Sequence, residues 1–210
     1  MPKASYQVHP LPQTDLNARA TLRKSLRAAR KRLSSEASMA ASLGIIDNLQ
    51  KLAWLEKPSC VAVYLENDGE VDLQPFVEHC WHRFPKIFFT LPVLHPVCKG
   101  HLLFLQYNKD TLMVQNKYKI SEPRLACQDV IPTSDVDVIL MPLVGFDKQG
   151  NRLGMGGGYY DRTLAFTKHS NKKPVLIGIA HDFQEVNALP TAPWDVPLDA
   201  IVTPTRILRF

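Results

Sequence analysis

Short apolar runs separated by stretches of helical periodicity are what most limits the folds open to this chain. The runs are Val61–Leu65, Lys86–Pro92, His101–Tyr107, Val136–Met141, Pro174–Ala180 and Ala200–Thr203. Each is about one strand long, and a continuous apolar run is expected to be buried on both faces. The spacing predicts three helices among them. One runs from a cap at Thr14 or Asp15 to about Leu33, one from Ser34-Ser35-Glu36 to about Trp54, and one from Asp72 to Phe84. Buried strands alternating with helices imply an α/β fold with a mainly parallel central sheet covered on both faces. The chain of 210 residues suits one domain with a substantial core. No repeat, low-complexity tract or linker divides it. Residues 1–14 hold three prolines and little periodicity, so they are expected to be a flexible tail before a domain spanning 15–210.

The run Val136–Pro142 leads toward Asn151-Arg-Leu-Gly-Met-Gly-Gly-Gly-Tyr-Tyr-Asp161, where glycine fills four of the five positions from 154 to 158. Tyr159 to Phe166 reads as the first turns of a helix. A strand, a glycine loop and a helix start suit an anion. Glycine lets the backbone approach closely at positive φ, and unpaired N–H groups at the helix start point at the ligand. Arg152 adds a charge-assisted hydrogen bond, and Asp161 suits a hard cation beside phosphates. The pattern is neither GxxxxGK[ST], for want of Lys-Ser or Lys-Thr, nor GxGxxG, because Tyr159 stands at the third glycine position. Glycines alone also fit a tight turn. Two aromatics directly after them favour a ligand site.

The net charge of +5 and pI near 9.0 are mild, and fit an anionic small molecule. Arg19, Arg23, Arg27 and Arg30 recur on one face of the first helix. Such a row reads as a solvated face or as an anion site, and the wider basic cluster to Arg32 also admits a nucleic-acid patch. No nucleic-acid motif accompanies it, and no nucleic-acid partner is expected. The four cysteines are scattered without a CxxC pair, and His79, Cys80 and His82 lack a fourth ligand at zinc spacing. Residues 1–18 carry no long apolar run, and no stretch reaches the roughly 20 apolar residues of a membrane span. The chain therefore reads as cytoplasmic, with no membrane partner.

The block Met141-Pro-Leu-Val-Gly-Phe-Asp-Lys-Gln-Gly-Asn-Arg-Leu-Gly-Met-Gly-Gly-Gly-Tyr-Tyr-Asp-Arg162 resembles the signature of the 5-formyltetrahydrofolate cyclo-ligase (5,10-methenyltetrahydrofolate synthetase) family. The likeness runs from about Arg19 to the C-terminus through Leu65-Glu-Asn-Asp-Gly-Glu70, Leu91-Pro-Val93, Ile120-Ser-Glu-Pro123 and Trp194-Asp-Val-Pro-Leu-Asp199. It implies a three-layer Rossmann-like sandwich (NagB/RpiA/CoA transferase-like) in a single domain. It also implies a monomeric enzyme that uses ATP and Mg²⁺ to cyclise 5-formyltetrahydrofolate, with or without a polyglutamate tail.

The resemblance also implies the site. Arg19 and Arg23 match a Lys-x-x-x-Arg pattern that reaches ATP, with arginine in place of the lysine. The triphosphate falls to Arg152, Leu153, Gly154, Met155, Gly156, Gly157, Gly158, Tyr159 and Tyr160. Many members carry a basic residue at the position of Met155 or Gly157, and here the γ-phosphate leans on Arg152 and backbone N–H groups. Leu65, Glu70, Tyr118 and Met155–Tyr159 match the folate site, with Glu70 gripping the pterin. Arg152 and Tyr159 stand nearest the chemistry. Asp161 and Asp195 match the magnesium carboxylates, although a helix-start aspartate and a turn residue before Pro197 are the plainer readings. Either tyrosine, Tyr159 or Tyr160, also suits core packing. The other readings are a nucleotide-sensing module without catalysis, an RNA-binding protein, and a phosphotransferase with another acceptor.

Overall fold

The computed structural model describes residues 11–53, 57 and 59–210. It begins with helices α1 (Gln13–Arg30) and α2 (Ser35–Leu49). Then come strand β1 (Ser59–Ala62), helix α3 (Gln74–Arg83), and strands β2 (Ile87–Leu94) and β3 (Leu102–Tyr107). A small hairpin, β4 (Met113–Gln115) and β5 (Ser121–Pro123), leads through β6 (Val130–Ile131) to β7 (Val138–Pro142). A second hairpin, β8 (Gly145–Phe146) and β9 (Arg152–Leu153), precedes helix α4 (Tyr159–Thr163). Strands β10 (Val175–Ile179), β11 (Ala200–Val202) and β12 (Ile207–Arg209) complete the chain.

Eight strands form one sheet in the order β12-β11-β10-β7-β1-β2-β3-β6. The five from β11 to β2 are parallel, and antiparallel strands extend both edges. The fold is thus the expected α/β sandwich on a mainly parallel sheet. Strand β7 shows why its run is unbrokenly apolar. Val138 and Leu140 join the core beneath α2 and α3, while Ile139 and Met141 join the core on the opposite face with Leu164 and Val196. Ser34 caps α2 by accepting from Ala37 N at 3.2 Å. Among the described residues no helix is long and apolar enough to cross a membrane.

The chain steps from β1 to β2 on one side, whereas β7 lies on the other side of β1. The strand order therefore reverses between β1 and β7, and the crevice beyond their C-terminal ends is where open α/β sheets hold ligands.

Several boundaries differ from expectation. Helix α1 starts at Gln13 behind Pro12 with no side-chain cap, so neither Thr14 nor Asp15 caps it, and it ends at Arg30 rather than Leu33. Residues 1–10 of the expected tail, the Trp54 end of the second helix and Pro58 lie outside the described residues. The strand does not run straight into the glycine loop, because the β8–β9 hairpin intervenes. The helix after the loop has five residues followed by a 3-10 turn at Ala165–Lys168, and is not continuous to Phe166.

Candidate active site

Helix α1 lies across this crevice with its arginine row turned inward. Its buried residues are Arg19 and Arg30, while Leu16 is exposed. Arg19 donates to both oxygens of Asp195 at 2.7 and 3.1 Å and to Pro190 O at 2.8 Å. Arg23 Nε donates to Gly154 O at 2.8 Å. Arg27 grips both oxygens of Asp68 at 2.7 and 3.0 Å, and Arg30 donates to Asp68 Oδ2 at 2.7 Å. One helix thereby ties together the loops that follow β1, β7 and β10. Arg19 and Arg30 are thus buried against acceptors, while the Arg27 side chain stays 40% exposed.

The glycine loop hangs from the β8–β9 hairpin. Buried Asp147 shapes that hairpin by accepting from Gln149 N, Asn151 N, the Asn151 amide and Leu189 N at 2.9 to 3.1 Å. Gly156 and Gly158 then stand at φ +99° and +65°, where a side chain is strained. Arg162 Nη1 closes the loop by donating to Gly157 O at 2.7 Å. Among the described residues, the N–H groups of residues 155–158 donate to no protein acceptor. Helix α4 is too short for much dipole, so these donors and the arginines carry the anion-binding capacity. Arg152 is buried and bonds Asp161 Oδ1 through Nη2 at 2.6 Å, while its Nε has no partner. A buried guanidinium with an unmet donor suits a phosphate oxygen.

The residues expected on the folate side come from other elements. Burial pushes Glu70 up to about 7, against the pull of the Arg30 guanidinium, whose Nη1 lies 3.6 Å from its Oε1. His181 Nε2 meets Gly69 O at 3.2 Å, so this strand-end histidine serves as a tether for the Glu70 loop. Tyr118, on the turn of the β4–β5 hairpin, and Tyr159 share a hydrogen bond of 2.7 Å, with rings edge-on and centroids 6.2 Å apart. That bond lowers the Tyr118 phenol and raises the Tyr159 phenol. Tyr160 instead packs against the core, and burial raises its phenol. Leu65 packs against the core on the other face. The hairpin is anchored by Glu122, which accepts from Leu94 N at 3.2 Å and the Asn116 amide at 2.9 Å.

The two expected magnesium carboxylates differ in what they have left to give. Asp161 uses Oδ1 for Arg152 and for Val196 N at 3.3 Å, and Oδ2 has no hydrogen bond among the described residues. Asp195 has both oxygens on Arg19, and Oδ2 also accepts from Ala192 N at 2.8 Å. Among the described residues no group of three or more His, Cys, Asp or Glu could hold a metal by itself. One carboxylate oxygen beside a phosphate site fits Mg²⁺, which takes few protein ligands and keeps waters. Asp161 meets that requirement as it stands. Asp195 meets it only after releasing Arg19.

The model of the 5-formyltetrahydrofolate cyclo-ligase family matches residues 15–204. The chain belongs to that family. A 5-formyltetrahydrofolate cyclo-ligase of Escherichia coli K12 is 50% identical over 150 residues, 71% of this chain and 80% of its own. The cyclo-ligase of Haemophilus influenzae is 40% identical over 180 residues, 86% and 94% of the two chains. The NMR structure of Aquifex aeolicus 5,10-methenyltetrahydrofolate synthetase superposes with a TM-score of 0.75 at 31% identity, over 91% of this chain and 92% of that one.

Within this cyclo-ligase fold, Asp147, Arg30 and Asp68 shape the site through contacts the sequence does not reveal. Asp147 had a visible signal, since Asp-Lys-Gln-Gly is an Asx-turn sequence. Arg30 was visible as part of the row, but its partners Asp68 and Leu143 are 38 and 113 positions away. Asp68 lies inside the quoted Glu70 motif, and nothing local marks it as the residue where Arg27, Arg30 and Lys31 meet.

Proposed function

We propose that this chain catalyses the ATP- and Mg²⁺-dependent cyclisation of 5-formyltetrahydrofolate to 5,10-methenyltetrahydrofolate, releasing ADP and phosphate. One observation carries the reading. A single helix joins the glycine loop, the loop that carries Glu70 and the Asp195 loop at the crevice between β1 and β7, which supports a phosphate site and a pterin carboxylate working together there.

The chemistry asks for such a space. A formamide carbonyl is a weak electrophile and its oxygen a poor leaving group. Transfer of the γ-phosphoryl group to the formyl oxygen forms a P–O bond and releases ADP. N10 then attacks the activated carbon and loses its proton, and the C–O bond breaks with phosphate leaving. The demands are positioning and neutralisation of charge, with no protein nucleophile.

The roles follow. Arg19, Arg23, Arg152 and the segment Leu153–Tyr160 bind ATP, with the Arg152 Nε and the free N–H groups of residues 155–158 meeting phosphate oxygens. Glu70 accepts N–H bonds from the aminopyrimidine edge of the pterin. Leu65, Tyr118 and Met155–Tyr159 line the folate site. Asp161 would hold Mg²⁺ through its unbonded Oδ2, and Asp195 would join it only on releasing Arg19. The metal when bound supplies neutralisation of developing phosphate charge. The enzyme acts as a cytoplasmic monomer on 5-formyltetrahydrofolate with or without a polyglutamate tail.

The test is to mix the protein with (6S)-5-formyltetrahydrofolate and Mg·ATP and follow the near-ultraviolet absorbance of methenyltetrahydrofolate. A rise that needs both ATP and magnesium is expected. No rise from protein that still binds ATP would refute the cyclo-ligase reading.

A further inference from the structure

Arg30 is 1% exposed, yet the cyclisation gives it nothing to do. Its bonds span the point where the strand order reverses. Nε donates to Asp68 O at 2.8 Å and Nη2 to Asp68 Oδ2 at 2.7 Å, both on the loop after β1. Nη1 donates to Leu143 O at 3.2 Å, one residue beyond β7. The same loop carries Glu70 and is seated tightly on the end of α1. Asp68 and Gly69 stand at φ +57° and +75°, and a Cβ on Gly69 would lie 3.0 Å from Arg30 O. Asp68 also binds Arg27 at 2.7 Å and Lys31 at 2.8 Å, whereas Nη1 of Arg30 stops 3.6 Å from Glu70. Three cations therefore converge on Asp68, and Arg30 stands beside Glu70 without a hydrogen bond to it.

We propose that Arg30 is a positioning residue for folate recognition, clamping the Glu70 loop to the end of β7 and placing a cation beside its carboxylate, while Asp68 keeps that cation from closing onto it. This rests on Glu70 being the carboxylate that grips the pterin. The groups facing Glu70 set the balance. Burial and the neighbouring Glu66 and Asp68 raise it, and Arg30 and a backbone hydrogen bond from Asn67 lower it. Tyr64, from the segment after β1, and Tyr160 of α4 also feel its charge, and His181 bears on Gly69 from the loop after β10. Removing Arg30 should raise the Glu70 midpoint, and neutralising Asp68 should lower it.

The experiment uses Arg30→Gln, Asp68→Asn and Glu70→Gln in the full chain. Carbon NMR of ¹³C-labelled glutamate follows the Glu70 midpoint, its resonance identified by loss in Glu70→Gln. Calorimetry measures 5-formyltetrahydrofolate affinity from about pH 6 to 9. The midpoint should lie near 7 in the parent, higher in Arg30→Gln and lower in Asp68→Asn. A rise of about one unit would leave roughly one Glu70 in eleven ionised at pH 7 instead of one in two. Affinity would fall about fivefold there and recover at high pH. Unmoved midpoints, or folate affinity lost equally at every pH, would overturn the proposal. If Arg30→Gln does not fold, the downward shift in Asp68→Asn decides alone. Midpoints that shift as stated in a protein that binds no folate would instead overturn the folate assignment of Glu70, and the proposal with it.

Discussion

Replacing Asp161 tests the ion pair and the metal assignment together. Its Oδ1 lies 2.6 Å from Arg152 Nη2, and the two side chains are 17% and 4% exposed. Removing one partner of a buried pair costs about 3 to 5 kcal/mol, because the other charge is left uncompensated. Asp161 keeps some contact with solvent, so Asp161→Ala should sit near the lower end, about 3 kcal/mol. For a chain of this size each kcal/mol moves the melting temperature by about 2–4 °C, giving a drop of about 6–12 °C. Asp161→Asn keeps an acceptor for Arg152 and Val196 N and loses only charge, so about 1 to 2 kcal/mol is expected. Thermal unfolding is then repeated with ATP alone and with Mg·ATP. If the free Oδ2 holds the cation, the extra stabilisation that magnesium gives the parent should vanish in Asp161→Asn. A lowered melting temperature with that increment intact would leave the ion pair and refute the metal role. An unchanged melting temperature in Asp161→Ala would refute the ion pair.

Glu70→Gln should raise the KM for 5-formyltetrahydrofolate much more than the KM for ATP, and equal effects on both would point away from pterin contact. Asp147→Ala strands four donors around a buried turn, so a loss of about 3 kcal/mol is expected. A urea midpoint indistinguishable from the parent's would contradict this account of the hairpin. Exposed Cys98 and Cys127 should react with a disulfide reagent in the native protein, while Cys60 and Cys80, pushed by burial to about 11 and about 12, should react only on unfolding. Four equally fast thiols would be the opposing result.

The sheet was legible because its strands are apolar on both faces and carry the signal in their own residues. Val136–Met141 and Pro174–Ala180 are β7 and β10 within two residues at each end. The short edge and hairpin strands were not legible. β4, β8 and β9 have two or three residues each and owe their pairing to contacts made elsewhere. The glycine loop was legible as an anion cradle from its composition. Its approach was misjudged because the β8–β9 hairpin rests on Asp147, which reaches across to Leu189 N at 3.1 Å. The direction of the arginine row was hidden for a similar reason. Residue type assigns a row of arginines to solvent, and the carboxylate that holds Arg19 stands 176 positions away.

That inward row has a consequence for how α1 is held. Leu22 and Leu26 are only half-buried, and the fully buried positions of the helix are Arg19 and Arg30. Docking of α1 therefore leans on Asp68 and Asp195 more than on apolar area. The Arg27 hydrogen bond, together with Lys31 and Arg30, holds the Asp68 carboxyl well below the usual range despite its burial. A depressed folded-state pKa contributes stability that is full above the unfolded value of about 3.9 and is lost as pH falls from there toward the folded value. Among the described residues, the cluster between β7 and α3 is apolar. Acidification below about pH 4 should thus release α1 before the sheet opens. Hydrogen exchange, corrected for intrinsic rates, should show α1 amides losing protection at a pH where β7 amides still keep theirs. Loss of protection in both elements at one pH would mean that apolar packing, not the arginine row, seats the helix over the site.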